Sequence, residues 1–189
     1  MQAVINQYQE IICTAAENKT PLSIYGGNTK QFYGNATSIQ YTTPVDATFY
    51  CGIVDYDPAE LVVTARAGTR LSELEAALEQ QGQMLAFEPP HFGVLATLGG
   101  CVATGLSGPR RATAGSVRDF VLGVRMLNGK GEDLHFGGRV MKNVAGYDVS
   151  RLMVGALGTL GLLLEISFKV LPKPAAEMTF CMSIDEKAA

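Results

Sequence analysis

The order of hydrophobic periodicities predicts an α+β fold, in one domain or in two tightly packed lobes sharing a cleft. Three observations carry this. Residues 4–17 place apolar side chains at 4, 5, 8, 11, 12, 15 and 16, a helical stripe. Most of the later segments alternate or run apolar as strands do, and no regular strand–helix–strand repeat appears. Finally, 189 residues with 47% hydrophobic and 17% charged content suffice for a well-filled core without disulfide or metal staples.

In order, Val4 to Glu17 predicts an amphipathic helix, and Pro21 to Tyr25 a short strand running into Gly26-Gly27-Asn28-Thr29-Lys30. Thr48 to Tyr56 and Leu61 to Ala67 predict strands around an Asp57-Pro58 turn. Thr69 is an N-cap candidate for a helix from Arg70 to Gln81, with Leu71, Leu74 and Leu78 on one face and Gly82 at its end. Phe87 to Gly93 is a proline-containing loop. Leu98 to Gly108 is small and glycine-rich, with no strong period. Asn128-Gly129 signals a hairpin between Gly123–Leu127 and Glu132–Phe136. Asp148 can cap a short helix to Val154. After Gly155, Gly158 and Gly161 comes a strand from Leu162 to Leu171, stopped by Pro172 and Pro174.

Composition narrows function. The net charge of -3 and the lack of Lys/Arg runs argue against nucleic acid as a partner. No apolar run reaches the ~18–20 residues of a membrane span, and the N-terminus lacks the pattern of a signal peptide. The cytoplasm is the expected location. Cys13, Cys51, Cys101 and Cys181 are far apart, so reduced, mostly buried thiols are expected. With His91 and His135 the only histidines, a His/Cys metal site is not expected.

The 21 glycines, one residue in nine against a usual ~7%, are the informative excess. Three segments hold the chemistry. In Tyr25-Gly-Gly-Asn-Thr-Lys30, paired glycines permit positive φ and let successive amides converge on a diphosphate; alone, the segment reads equally as an ordinary turn. In Ala96 to Gly108, the near absence of bulky side chains lets a large flat ligand lie on the backbone. A helix starting near Gly99 would direct amides at a phosphate, and a short helix packed closely on a sheet is the plain alternative. Gly155-Ala-Leu-Gly-Thr-Leu-Gly161 stands in helix–loop–strand order, the reverse of a nicotinamide-binding Rossmann site.

Taken together and in order, these segments resemble the FAD-binding domain of the vanillyl-alcohol-oxidase/p-cresol-methylhydroxylase type, over Pro21 to Leu171. The resemblance implies a two-lobed domain over 1–175: a small N-terminal α/β lobe (about 1–55), and a larger lobe (about 56–175) with a mostly antiparallel sheet and flanking helices. It implies that Gly26, Gly27, Asn28, Thr29, Lys30 and Gly34 hold the FAD pyrophosphate. The family's T-x-G-G-x-x-A-T-x-x-x-G segment appears as Thr97, Gly99, Gly100, Ala103, Thr104 and Gly108, preceded by the Pro89-Pro90 pair. Ser116 and Val117 match the segment before the central hairpin. Lys142-Asn143-Val-Ala-Gly146-Tyr147-Asp148, followed by Gly158, Gly161 and Leu162, resembles a signature of the D-2-hydroxyacid dehydrogenases in the group. Lys142 and Asn143 could approach the flavin edge, or lie in a solvated loop.

A narrower resemblance, carried by Gly26–Lys30, Pro109-Arg110-Arg111 and Lys142–Asp148, is to the FAD-binding subunits of bacterial glycolate oxidases. It implies oxidation of glycolate or a related 2-hydroxy acid to the 2-oxo acid. It also implies two partners, a paralogous FAD-linked subunit and an iron–sulfur subunit, with peripheral contact at the inner membrane through them. The alternative is a non-catalytic FAD-carrying scaffold supporting a catalytic paralogue; a flavin-dependent enolpyruvyl-sugar reductase fits the Lys142–Asp148 segment less well. Arg110 and Arg111 could bind a phosphate, a carboxylate or a partner, or be a plain surface pair. Many relatives place Arg or Ser where this chain has Tyr25, and members with covalent flavin can use a histidine where it has Asn28 and Thr29. FAD held non-covalently is therefore expected, and His91 is expected to be an ordinary loop residue beside Phe92. The family's substrate-binding cap domain follows the final strand, so residues 176–189 read as the start of, or remnant linker to, such a domain.

Overall fold

The apolar stripe of the first segment forms helix α1 (Gln2–Asn18), which buries Ile5, Tyr8, Ile12 and Ala15. It stops at Lys19, whose left-handed backbone (φ 54°) returns its N–H to the last turn. A computed structural model describes residues 1–34, 42–138, 146–181 and 183. After α1, strands β1 (Leu22–Tyr25) and β2 (Thr43–Asp46) pair in parallel, Leu22 opposite Thr43 and Tyr25 opposite Asp46.

The strand expected from Thr48 differs. Asp46 accepts from the Thr48 N–H at 2.9 Å and from its hydroxyl at 2.6 Å, which closes a 3₁₀ turn over Ala47–Phe49. Such local side-chain capture competes with extended backbone, and β3 (Ile53–Asp57) begins only after it. β4 (Val62–Arg66) follows, then α2 (Leu71–Glu79), β5 (Gln83–Met84) and α3 (Leu98–Thr104). The short helices α4 (Arg111–Ala114) and α5 (Val117–Phe120) lead into β6 (Val121–Leu127) and β7 (Asp133–Gly137). α6 (Val149–Leu152), β8 (Leu162–Lys169) and β9 (Leu171–Pro172) complete the order.

The main sheet runs β3-β4-β8-β6-β7, every pair antiparallel. On one face Val63, Ala65, Val124, Ile166 and Phe168 pack with Leu71, Leu74 and Leu78 of α2 and Leu98 and Val102 of α3. A second buried cluster joins Ile5, Tyr8 and Ile12 of α1 to Val45, Tyr50, Leu127, Leu162 and Leu164, so the N-terminal unit is seated on the sheet through apolar contact.

Thr69 does not cap α2. Its hydroxyl is taken by Gly52, accepting from the N–H at 2.8 Å and donating to the carbonyl at 3.2 Å, and Arg70 stands at the cap without a side-chain bond. The hairpin after β6 is present with a longer connection than a two-residue turn. Asn128 Oδ1 accepts from the N–H groups of Lys130 and Glu132, which spreads the turn over residues 128–132. The expectation of mostly buried thiols is corrected: Cys13, Cys51 and Cys181 are exposed and only Cys101 is buried, although all four are free. Cysteine composition carries no information about which face of a helix or loop each residue occupies.

Candidate functional site

The chain leaving β1 turns through Gly26–Lys30 and runs against the segment 91–97. A β-carbon on Gly27 would lie 1.6 Å from the Leu95 carbonyl oxygen, and one on Gly26 would lie 2.3 Å from Thr97 Oγ1. Thr29 packs on Gly93, and the Lys30 ammonium donates to the His91 carbonyl at 3.2 Å. The two loops are therefore zipped together residue by residue. This corrects the reason expected for the glycine pair. Neither Gly26 nor Gly27 has positive φ; Asn28 does, at 54°, and the glycines are required by the close approach of the neighbouring backbone.

The second segment forms α3. Thr97 caps it, its hydroxyl accepting from the Gly100 N–H at 3.3 Å. The Leu98 N–H goes to the Thr69 carbonyl at 2.9 Å and the Gly99 N–H to the Ala67 carbonyl at 2.7 Å. The expectation that this helix start aims amides at a phosphate is thus corrected: its first donors are consumed by the protein, and Gly99 is small because Ala67 lies against it. What α3 offers instead is a bare surface of Gly100, Ala103 and Thr104. The third segment docks on the far end of α3, with Gly155 N–H to the Val102 carbonyl and Leu157 N–H to the Ala103 carbonyl at 3.0 and 2.8 Å.

Between these segments lies a cleft of about 480 Å³. It is lined by Gly26, Gly27, Asn28, Thr29, Lys30 and Gly34 from the first loop and by Thr97, Gly99, Gly100, Ala103 and Thr104 around α3. Gly158, Gly161 and Leu162 line it from the third segment. Tyr25, Tyr33, Met153 and Leu157 also line it and were not among the cofactor contacts expected from the sequence. Leu157 carried a signal: it interrupts the glycine run, and its backbone takes φ 52°, a strained value for a branched residue.

The other candidates lie elsewhere. Pro89 is buried beside a second pocket with Glu88, Pro109, Arg110 and Lys173, and neither it nor Pro90 lines the cleft. Gly108 packs against Glu88, its N–H bonded to the Phe87 carbonyl at 2.9 Å. Ser116 forms a capping box with Asp119 at the start of α5, and the Val117 N–H donates to Ser107 Oγ at 3.0 Å. Those Ser116 bonds hold the Asp119 carboxyl below its usual pKa. Arg110 is engaged by Glu88, at 2.9 Å from its Nε, and by Glu177, so it is not a free anion site; Arg111 is exposed. Lys142 and Asn143 lie outside the described residues. His91 binds Glu75 through Nε2 at 3.0 Å.

Chemically the cleft suits an extended anion joined to flat rings. Among the described residues, the backbone N–H groups of Gly26, Gly27, Asn28 and Thr29 have no protein acceptor, and all four residues line the cleft. Converging free amides are what a diphosphate requires. Lys30 is the one charged side chain in the described lining, and burial lowers its pKa. Much of the remaining wall is glycine, alanine and aliphatic surface, against which a ring system can lie, with Tyr25, Tyr33 and several threonines beside it.

A family model described as "FAD binding domain" matches residues 3–137. Glycolate oxidase subunit GlcE of Escherichia coli (strain K12) is 55% identical over 188 residues, covering 100% of this chain and 52% of that protein. D-lactate dehydrogenase of Anaerostipes hadrus is 35% identical over 158 residues, 84% of this chain and 33% of that protein. Glycolate oxidase subunit GlcD of Bacillus subtilis (strain 168) is 33% identical over 127 residues, 67% of this chain and 27% of that protein. The chain thus spans about half the length of the first relative and a third or less of the others. Among solved structures, alkyldihydroxyacetonephosphate synthase aligns with a TM-score of 0.69 at 25% identity, over 89% of this chain and 30% of that one.

Proposed function

The chain belongs to the FAD-binding domain family, and from that premise we propose that it is the FAD-holding part of an oxidoreductase acting on glycolate or a related 2-hydroxy acid. The observation that carries the reading is the row of free amides at Gly26–Thr29 in residues that line one cleft with the bare surface of α3. Its similarity to both a GlcE and a GlcD subunit supports a place in a heteromeric assembly with a paralogous FAD-linked subunit, and an iron–sulfur subunit is the further partner we propose.

In this reading Gly26 to Thr29 bind the cofactor diphosphate through backbone donors, with Lys30 and Gly34 completing the loop. Thr97, Gly100, Ala103 and Thr104 give the rings a flat support, and Gly158, Gly161 and Leu162 close the opposite side. Lys142 and Asn143, outside the described residues, are proposed as further FAD contacts. Pro89, Pro90, Gly108, Ser116 and Val117 act by holding the loops that carry these groups. When bound, FAD supplies the acceptor that takes a hydride from the substrate α-carbon. No carboxylate or imidazole is among the described lining residues.

Among the described residues no helix is long and apolar enough to cross a membrane; a cytoplasmic location, peripheral at the inner membrane through partners, is part of the proposal. Similarity to both a GlcE and a GlcD subunit also fits one second reading, a non-catalytic FAD carrier beside a catalytic paralogue. Anaerobic stopped-flow mixing of the flavin-loaded subunit with glycolate separates them: rapid bleaching excludes the carrier, and none excludes autonomous oxidation. The cofactor proposal is tested by adding FAD to the purified chain, recording flavin bands, then precipitating with acid. A yellow supernatant is expected. A yellow pellet overturns non-covalent binding, and no uptake overturns the proposal.

A further inference from the structure

Lys30 reaches the cleft wall through an unusual chain of contacts. Its ammonium donates to one protein acceptor among the described residues, the His91 carbonyl at 3.2 Å, which leaves two of its three N–H groups for a ligand. The Phe92 ring centroid lies 5.9 Å from the ammonium and is itself held edge-on by Phe32 at 4.9 Å. The turn that places His91 and Phe92 is strained, with φ 55° at Phe92. It is anchored from outside, where His91 Nε2 meets Glu75 Oε2 of α2 at 3.0 Å. On the inside Gly26, Gly27 and Thr29 lie against Thr97, Leu95 and Gly93. A cation so placed has lost part of its hydration and faces no carboxylate in the described lining, so an incoming anion is its natural counter-charge.

We propose that Lys30 is an electrostatic determinant of FAD affinity and that His91 and Glu75 are positioning residues which hold it at the cleft. The proposal rests on the FAD-binding reading above and adds that a side-chain chain, from α2 through the 91–97 loop, sets how strongly the diphosphate is held. The Glu75–His91 pair fixes the loop, the loop carbonyl aims the ammonium, and the free N–H groups meet the anion.

The test is fluorescence titration of the full chain with FAD at several salt concentrations, alongside melting of the ligand-free protein. Lys30→Met is expected to weaken FAD binding about tenfold or more at low salt and to flatten the salt dependence. Lys30→Arg is expected to restore most of both. His91→Ala is expected to weaken FAD binding by a smaller factor, and His91→Gln, whose amide can still donate to Glu75, to recover it. Wild-type affinity and salt slope in Lys30→Met would overturn the proposal while leaving the FAD reading intact. Weakened binding with an unchanged salt slope would also overturn it, since that marks a structural loss. His91→Ala with wild-type affinity would remove the positioning role. Wild-type protein that takes up no FAD sinks the underlying reading, and the proposal with it.

Discussion

Gly27 shows how much one missing β-carbon can do. Its neighbour is a backbone carbonyl, which cannot rotate away as a side chain can, so a methyl group there must push the two loops apart. Gly27→Ala is expected to cost about 1–3 kcal/mol of stability, the usual range for overpacking, and to abolish FAD uptake. Gly129→Ala, with nothing within 4 Å of the new carbon, is the control and should bind FAD normally. Thermal melting and flavin fluorescence read both. The cysteines make a second case at this scale. Burial pushes the Cys101 thiol up to about 12, whereas Cys13, Cys51 and Cys181 are exposed. Native protein should therefore react with three equivalents of a thiol reagent near neutral pH and denatured protein with four. None of the four thiols could be sorted this way from sequence, because exposure depends on what packs opposite.

Across β6, β7 and β8 one arginine ties three strands. Arg125 holds Asp133 of β7 through two bonds, at 3.0 and 2.8 Å, and Glu165 of β8 at 2.9 Å, and Tyr50 donates to the same Glu165 at 2.6 Å. The Arg125 hydrogen bonds hold the Asp133 carboxyl below its usual pKa. A group whose pKa is depressed on folding stabilises the fold above its unfolded value, near 3.9, and loses that contribution as pH falls through the folded value. Asp133→Asn is expected to lower stability by about 1–2 kcal/mol at pH 7. In urea titrations the gap from wild type should narrow once the pH falls below about 4. The sheet itself was legible as strands, since periodicity marks each one. The network was not, because the register that sets Arg125 opposite both His135 and Glu165 is decided by pairing across distant segments.

At the scale of the whole molecule, the cleft draws one wall from the N-terminal unit and the other from α3 and the segment before β8. A ligand that bridges them binds only the folded arrangement. FAD at about a hundredfold excess over its dissociation constant is expected to add about 2.7 kcal/mol of stability. Hydrogen exchange should slow at Gly26–Thr29, and in β7, which lies outside the cleft, only where exchange requires global unfolding. Equal protection everywhere would mean global stabilisation without occupancy of this site.

The sequence by itself determined the α+β class, the amphipathic first helix, the hairpin and the three glycine segments in order, because these depend on local periodicity and on residues without β-carbons. Only the tertiary structure decided which amides of those segments the protein consumes and which it leaves free. Gly99 yields to Ala67 and its amide to a carbonyl, whereas the amides of Gly26 to Thr29 remain free. Both kinds look alike along the chain. They differ only in what another segment of the chain brings against them, and hydrogen-bond satisfaction is a property of that assembly.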